Sequence, residues 1–319
     1  MMRNLLKLSG SNRILVLLAL LWIVVILLFA ALRPTMFSAS TVTTVLQFST
    51  ILALVSLGQC VVILAGGSGI DLSVGGTMSL SVVLAMLAVK AGLPPSLLPL
   101  ACVFAGLLLG LFNGLLVTRL KILPLIATLG TLFIYSGLAL ALTGGAAQSG
   151  VPGWLLPWGR GAVLSLPMPF VTLVVPVFAV AAVLLLCSAW GRWLFAMGFN
   201  ERSARLVGIP VDRARLLVYG LSGLLAGVAG LVSLAWLGSG RPNIGQNLEL
   251  ESLTAVMLGG VAITGGVGGV GGVIAAVILL VTLKTGLLQL NVNTVWQVGI
   301  VGALLIAVLL IERLSKRWS

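Results

Sequence analysis

One carboxylate stands alone inside an otherwise apolar part of the chain. From Leu64 to Gly76 the sequence reads L-A-G-G-S-G-I-D-L-S-V-G-G, and Asp71 is its only charge. A carboxylate at bilayer depth is costly and marks a functional position by default. Gly66, Gly67 and Gly75 around it let the backbone leave a helix where it faces protein or a cavity rather than lipid. A second break runs from Gly259 to Gly272 and contains Gly259, Gly260, Gly265 and Gly266. Paired, glycine-interrupted apolar segments point to the central site of a transporter. Asp71 with Ser73 reads in two ways, as the local cap of a helix opening at Leu72-Ser73 and as a group beside a solute path. Gln59 and Asn113 are further polar candidates near these bends, although polar groups inside helix bundles often only bond neighbouring helices.

Other chemistries are excluded by residue type. The chain has no histidine, so the commonest general base and metal ligand is missing. Cys60, Cys102 and Cys187 are far apart, form no metal or redox spacing and read as small apolar packing residues. No metal site is expected. No G-x-x-x-x-G-K-[ST] occurs, so ATP hydrolysis by that route requires another chain. Gly266, Gly268 and Gly271 match G-x-G-x-x-G, but that fingerprint needs a soluble strand–helix unit, and here both flanks are apolar spans. Glu249 and Glu251 are two residues apart, which does not place them on one helical face, and they read as an interfacial acidic pair. No catalytic constellation is present for an embedded enzyme.

The elements that must carry these residues are membrane helices. Of 319 residues, 60% are apolar and 8% charged, and mean hydropathy is +1.25. Soluble domains carry about 25% charged residues. The chain therefore reads as an all-α polytopic membrane protein with broken helices. About ten spans are expected, near 14–32, 45–65, 72–90, 97–117, 122–142, 169–189, 216–237, 246–263, 270–289 and 294–311. The first is too long for a signal-peptide core and reads as a retained span. With the N-terminus inside, thirteen Lys and Arg fall on the cytoplasmic side and five outside, which favours N-in/C-in. The net charge of +12 sits in short clusters between spans and not in a basic groove, so nucleic acid is not an expected partner. Residues 1–319 read as one transmembrane domain with a short cytoplasmic tail, 1–13. The outer connection from Thr143 to Met168, rich in Pro, Gly and Trp, reads equally as an irregular cap or a linker. The inner loop, about 191–215, carries a short helix from Glu201 to Leu206, capped by Asn200 and ended by Gly208 and Pro210. Its two acids and five arginines make it a compact charged handle suited to docking.

These segments together resemble one family. G-I-D-L-S-V-G at Gly69–Gly75 is similar to the signature of permeases from sugar-importing ATP-binding-cassette (ABC) transporters of the ribose/xylose/arabinose/rhamnose/autoinducer-2 group. Leu123-Pro124-Leu125-Ile126-Ala127-Thr128-Leu129-Gly130 resembles the family's P-x-(I/A)-x-T-L span. Gly198 to Ile209 resembles its G-x-N-x-x-A-A-x-x-x-G-I cytoplasmic loop, and Leu248 to Gly260 its E-L-x-A-I-A-A-V-V-L-G-G run. The order and spacing match from about residue 35 to the C-terminus. Ser203 stands where the family has alanine, Glu251 replaces an Asp or small residue, Ser252 and Thr254 replace alanines, and the last break lacks the Lys or Ser often found there. The resemblance implies a non-enzymatic permease subunit of the bacterial inner membrane, set among membrane lipid. It implies a second permease, identical or paralogous, and a periplasmic sugar-binding protein. A cytoplasmic ABC ATPase, which itself binds ATP and Mg, is expected to dock around Asn200, Glu201, Ala204, Arg205 and Gly208. No cofactor is expected in this chain. Gly66, Gly67, Asp71, Ser73, Gly75, Gly259, Gly260, Gly265 and Gly266 are the expected residues of the path. The alternative is a stand-alone secondary carrier or channel for small polar solutes, which needs no docking loop.

Overall fold

The computed structural model describes residues 10–317. Arg3 and Lys7 of the expected tail lie outside the described residues. In chain order the helices are α1 (Gly10–Leu32), α2 (Ala39–Leu64), α3 (Val74–Lys90), α4 (Leu98–Thr118), α5 (Pro124–Thr143), α6 (Leu156–Arg160), α7 (Val175–Cys187), α8 (Ala189–Phe199), α9 (Glu201–Leu206), α10 (Val211–Leu237), α11 (Leu248–Leu258), α12 (Val270–Gln289) and α13 (Thr294–Arg317). Their ends follow ordinary stop and start rules. Ser38 caps α2 by accepting the Thr41 N–H, Pro124 opens α5, and Gly144 and Gly238 close α5 and α10 in the left-handed region.

Six of the described helical segments are long and apolar enough to cross a membrane: Ala39–Leu64, Pro95–Thr118, Pro124–Thr143, Phe170–Cys187, Val211–Leu237 and Val270–Gln289. Shorter apolar helices cover Leu18–Leu32, Val74–Lys90 and Val295–Ala307. This is an all-α polytopic membrane fold. The expected span 246–263 is different: it is helical only over the eleven residues of α11, about 16 Å, roughly half a bilayer core. Turns at 242–247 precede it, with Asn247 at φ +68°, and the Gly259–Gly260 break ends it. Expected starts also move. Helix α10 begins at Val211 rather than at 216, and α2 at Ala39 rather than at 45.

Two helices form the centre. Every residue of α2 from Ser49 to Leu64 is buried, and α10 is buried along most of its length. Helix α10 packs most closely on α4, and glycine explains why. Gly106, Gly110 and Gly114 line one face of α4, and a Cβ on Gly106 or Gly110 would run into the backbone of Gly223 or Gly227 on α10. Small residues every fourth position are how membrane helices bring backbones together. The opposite face of α4 exposes Phe104, Leu108 and Phe112 at the same spacing, as a lipid-facing stripe does.

The connection from Thr143 to Met168 is an ordered cap. It contains α6 and a small hairpin pairing Ala162–Val163 with Leu166–Pro167. Gln148 bridges to Gly240 through both backbone bonds, Lys90 bonds the Gln148 side chain, and Gly159 lies against the Ala235 backbone of α10.

Candidate functional site

Asp71 is 1% exposed and lies where α2 has ended and α3 has not begun. Its Oδ1 accepts the Ser73 N–H at 3.0 Å and the Ser73 hydroxyl at 2.6 Å. Its Oδ2 accepts the Ser222 hydroxyl of α10 at 2.8 Å. Asn113 of α4 donates to Ser73 Oγ at 2.6 Å, and the Tyr135 hydroxyl of α5 lies 3.4 Å from Asn113 Oδ1. Thr128 of α5 donates to the carbonyl of Ile70, one residue before the aspartate. Each of the three helices, α4, α5 and α10, thus sends a polar side chain to the unwound segment. A buried polar network of this kind is specific when its members are satisfied. The capping expectation holds in part: Asp71 accepts one backbone N–H, while Ser73 occupies the N-cap position of α3. Gln59 is buried close by in sequence but, among the described residues, has no hydrogen-bond partner for either side-chain atom.

The two glycine breaks come together at one end of the bundle. The Gly266 N–H donates to the Leu64 carbonyl at 3.0 Å. A Cβ on Gly66 would strike the backbone of Gly198, at the end of α8, and one on Gly265 would strike Gly66 itself. Gly66, Gly265 and Gly266 all have positive φ, so both turn and contact demand glycine there. A Cβ on Gly67 would meet the Arg215 guanidinium, with Glu201 next to it. Three of the glycines expected along a path, Gly66, Gly67 and Gly266, therefore lie against the charged loop, and Gly265 packs behind them on Gly66. Gly75 lies elsewhere, against Gly245 before α11, and Gly259 packs on Gly272 and Val273 at the start of α12.

The loop is built as a clamp. Asn200 Oδ1 accepts the Ser203 N–H at 3.0 Å and caps α9; Ala204 is buried beneath it, and Gly208 at φ +83° turns the chain into Pro210. Ion pairs then run across it. Lys121 reaches Asp212 at 3.2 Å, Arg205 reaches Asp212 at 2.7 Å and Glu201 at 2.9 Å, and Arg215 reaches Glu201 at 2.8 Å. The Arg215 guanidinium, followed by Arg205, holds the Glu201 carboxyl below its usual range. Asp212 and Glu201 in turn raise Arg205 above the ordinary arginine value. On this framework Phe199, Leu206 and Val207 are exposed at 85%, 87% and 76%. Apolar side chains standing out of a charged, braced loop are what an interaction surface offers.

A further pair escaped the sequence reading as a unit. Lys284 of α12 bonds Glu251 of α11 at 2.7 Å. The pair lines a cavity of about 360 Å³ near the far end of α10. None of the expected path residues lines this cavity. The signals available were a lysine inside an apolar run and an acid where small residues are usual, thirty-three positions apart. Among the described residues no cluster could hold a metal ion.

Membrane-length helices, an unwound buried segment and a braced loop, on a chain with no nucleotide motif of its own, define a transport permease. Comparison with known proteins agrees. Residues 41–309 match the family described as branched-chain amino acid transport system / permease component, and the chain belongs to that family. It is 34% identical over 293 residues to the ribose import permease protein RbsC of Bacillus subtilis (strain 168), covering 91% of this chain and 90% of the relative. It is 35% identical over 324 residues to the autoinducer 2 import system permease protein LsrD of Enterobacter sp. (strain 638), covering 98% and 96%. A third relative, the autoinducer 2 import system permease protein LsrC of Yersinia pseudotuberculosis, is 34% identical over 286 residues, covering 86% and 78%. No solved structure matches the chain. The protein is thus a multi-pass membrane permease and a transport subunit.

Proposed function

We propose that this chain is the permease subunit of an ABC importer that carries a monosaccharide, or a sugar-like furanosyl solute, across the bacterial inner membrane. Relatives named for ribose and autoinducer 2 import, matched over nearly the whole chain, favour sugar chemistry over the amino acid in the family's description. The observation that carries the coupling is the loop. An ion-paired clamp that presents Phe199, Leu206 and Val207 to solvent is what a separate ATPase would grip. That ATPase would bind ATP and Mg, a second permease would complete the channel, and a periplasmic binding protein would deliver the solute. Ten membrane passages with N-in/C-in orientation, the short α11 with its flanking turns counted as one, place the loop in the cytoplasm. Gly66, Gly67 and Gly266, packed against Gly198 and Arg215, with Gly265 on Gly66, would pass loop movement to the broken segments around Asp71 and Gly259.

The test is purification of the tagged permease with mass spectrometry of what accompanies it, followed by uptake in proteoliposomes. A co-purifying P-loop ATPase and ATP-dependent sugar uptake are expected. A chain that purifies alone and moves solute without ATP would overturn the reading in favour of a stand-alone carrier or channel.

A further inference from the structure

The cavity at the far end of α10 has a chemistry of its own. Trp236, near the C-terminal end of α10, forms one wall, with its ring 5.0 Å from that of Phe48 on α2 at an interplanar angle of 88°. Trp236 lies about 32 Å along the helix from Arg215, so the cavity and the clamp are at opposite ends of the bundle. Gln246 and Gln297 also line it, and Gln297 is fixed by donating to the Val292 carbonyl at 3.2 Å. The side-chain exposures of Lys284 and Glu251 are 32% and 15%, so both heads are partly wet inside a largely apolar wall. The volume is at the small end of the range for ligand sites, roughly 300–1,000 Å³.

We propose that this cavity is a solute site for one neutral polyhydroxylated ring, a monosaccharide in transit. A sugar hydroxyl needs an acceptor and a donor together. The Glu251 carboxylate and Lys284 ammonium supply both at one point, and the two amides supply both again. A sugar's C–H face needs a flat apolar partner, which Trp236 presents beside Phe48. A zwitterionic amino acid is matched less well. It requires a separated cation and anion, and here the two charges neutralise each other at 2.7 Å. The assignment rests on the importer reading above and deepens it by naming where, within this chain, the sugar is held.

Saturation-transfer NMR on the full-length permease in nanodiscs reads millimolar binding directly, with D-ribose and D-glucose as probes and L-leucine as competitor. Transfer to the sugar C–H protons is expected. It should fall at least fivefold in Trp236→Ala and in Glu251→Gln, and again in Thr285→Trp, which fills the cavity from the α12 wall and keeps the ion pair. Each variant is checked for unchanged gel-filtration behaviour. Equal transfer in all three folded variants, or no transfer from either sugar, overturns the site. Displacement of sugar by L-leucine overturns its chemistry. These outcomes separate from failure of the importer reading. A wild-type permease that co-purifies with its ATPase and takes up sugar with ATP, while the variants bind as wild type, sinks the site alone. Uptake without an ATPase, with binding lost in the variants, sinks the importer reading alone.

Discussion

Asp71 touches one near neighbour and one distant helix, and its two oxygens have different tasks. Oδ1 closes the turn into α3 through Ser73, and Oδ2 holds α10 through Ser222. Asp71→Ala removes the acceptor of the Ser222 hydroxyl, the Ser73 hydroxyl and the Ser73 N–H, although Asn113 still bonds Ser73. Measured side-chain hydrogen bonds within membranes average about 0.6 kcal/mol and reach roughly 1.7, so the loss is about 1–3 kcal/mol, well short of unfolding. The expected outcome is reduced uptake with the permease still folded and assembled, read by transport assay and by gel filtration. Uptake equal to wild type would remove Asp71 from the transport cycle. Glu201 allows a pH prediction. Its carboxyl is depressed by Arg215 and Arg205, so the stabilisation is fully present above the ordinary glutamate range, about 4.3, and is lost as pH falls through the lower, folded value. ATPase co-purification should therefore hold through mildly acidic pH and fail only below the ordinary glutamate range. Loss near pH 6 would mean that another group governs docking.

At the scale of elements, the loop and the α4–α10 seam make opposite predictions. Glu201→Arg places a cation against Arg205 and Arg215, and Gly208→Trp forces a side chain into the left-handed region at about 1–2 kcal/mol. Both should abolish ATPase co-purification while the permease still inserts and assembles. Normal co-purification with both variants would dismiss the loop as the docking element. Gly110→Leu instead drives a side chain into the α10 backbone at Tyr219 and Gly223. Expression or thermal stability in detergent should collapse, because no neighbouring side chain can yield. An unchanged melting temperature would show that the seam loosens without cost. The sequence carries the loop legibly because its signals are local: Asn200 three residues before Ser203, then Gly208 and Pro210. The seam is legible only in hindsight. Gly106, Gly110 and Gly114 have the spacing, but among forty glycines nothing in one sequence says which face α10 will meet.

For the whole molecule, apolar run lengths were enough to give a polytopic helical bundle, since a bilayer fixes how long a crossing helix must be. They were a poor guide between Gln246 and Ile263. There hydropathy continues while the helix stops at Leu258, because turns and glycines, not polarity, end it. Likewise, Glu249 and Glu251 looked like one acidic pair. In the fold Glu251 faces Lys284, whereas Glu249 reaches toward Gly75 with one buried oxygen unpartnered. Contacts across the chain decide such partners, and periodicity does not report them. The seam between α4 and α10 has one more consequence. Where Gly106 and Gly110 meet Gly223 and Gly227, backbone lies against backbone, with no rotamers to rearrange and little slack. Helix α4 must travel with α10 as a single plate. The hinge of any inward-to-outward swing must then lie elsewhere, where side chains and not bare backbones meet, as α11 and α12 do at their Glu251–Lys284 end, across a wet ion pair.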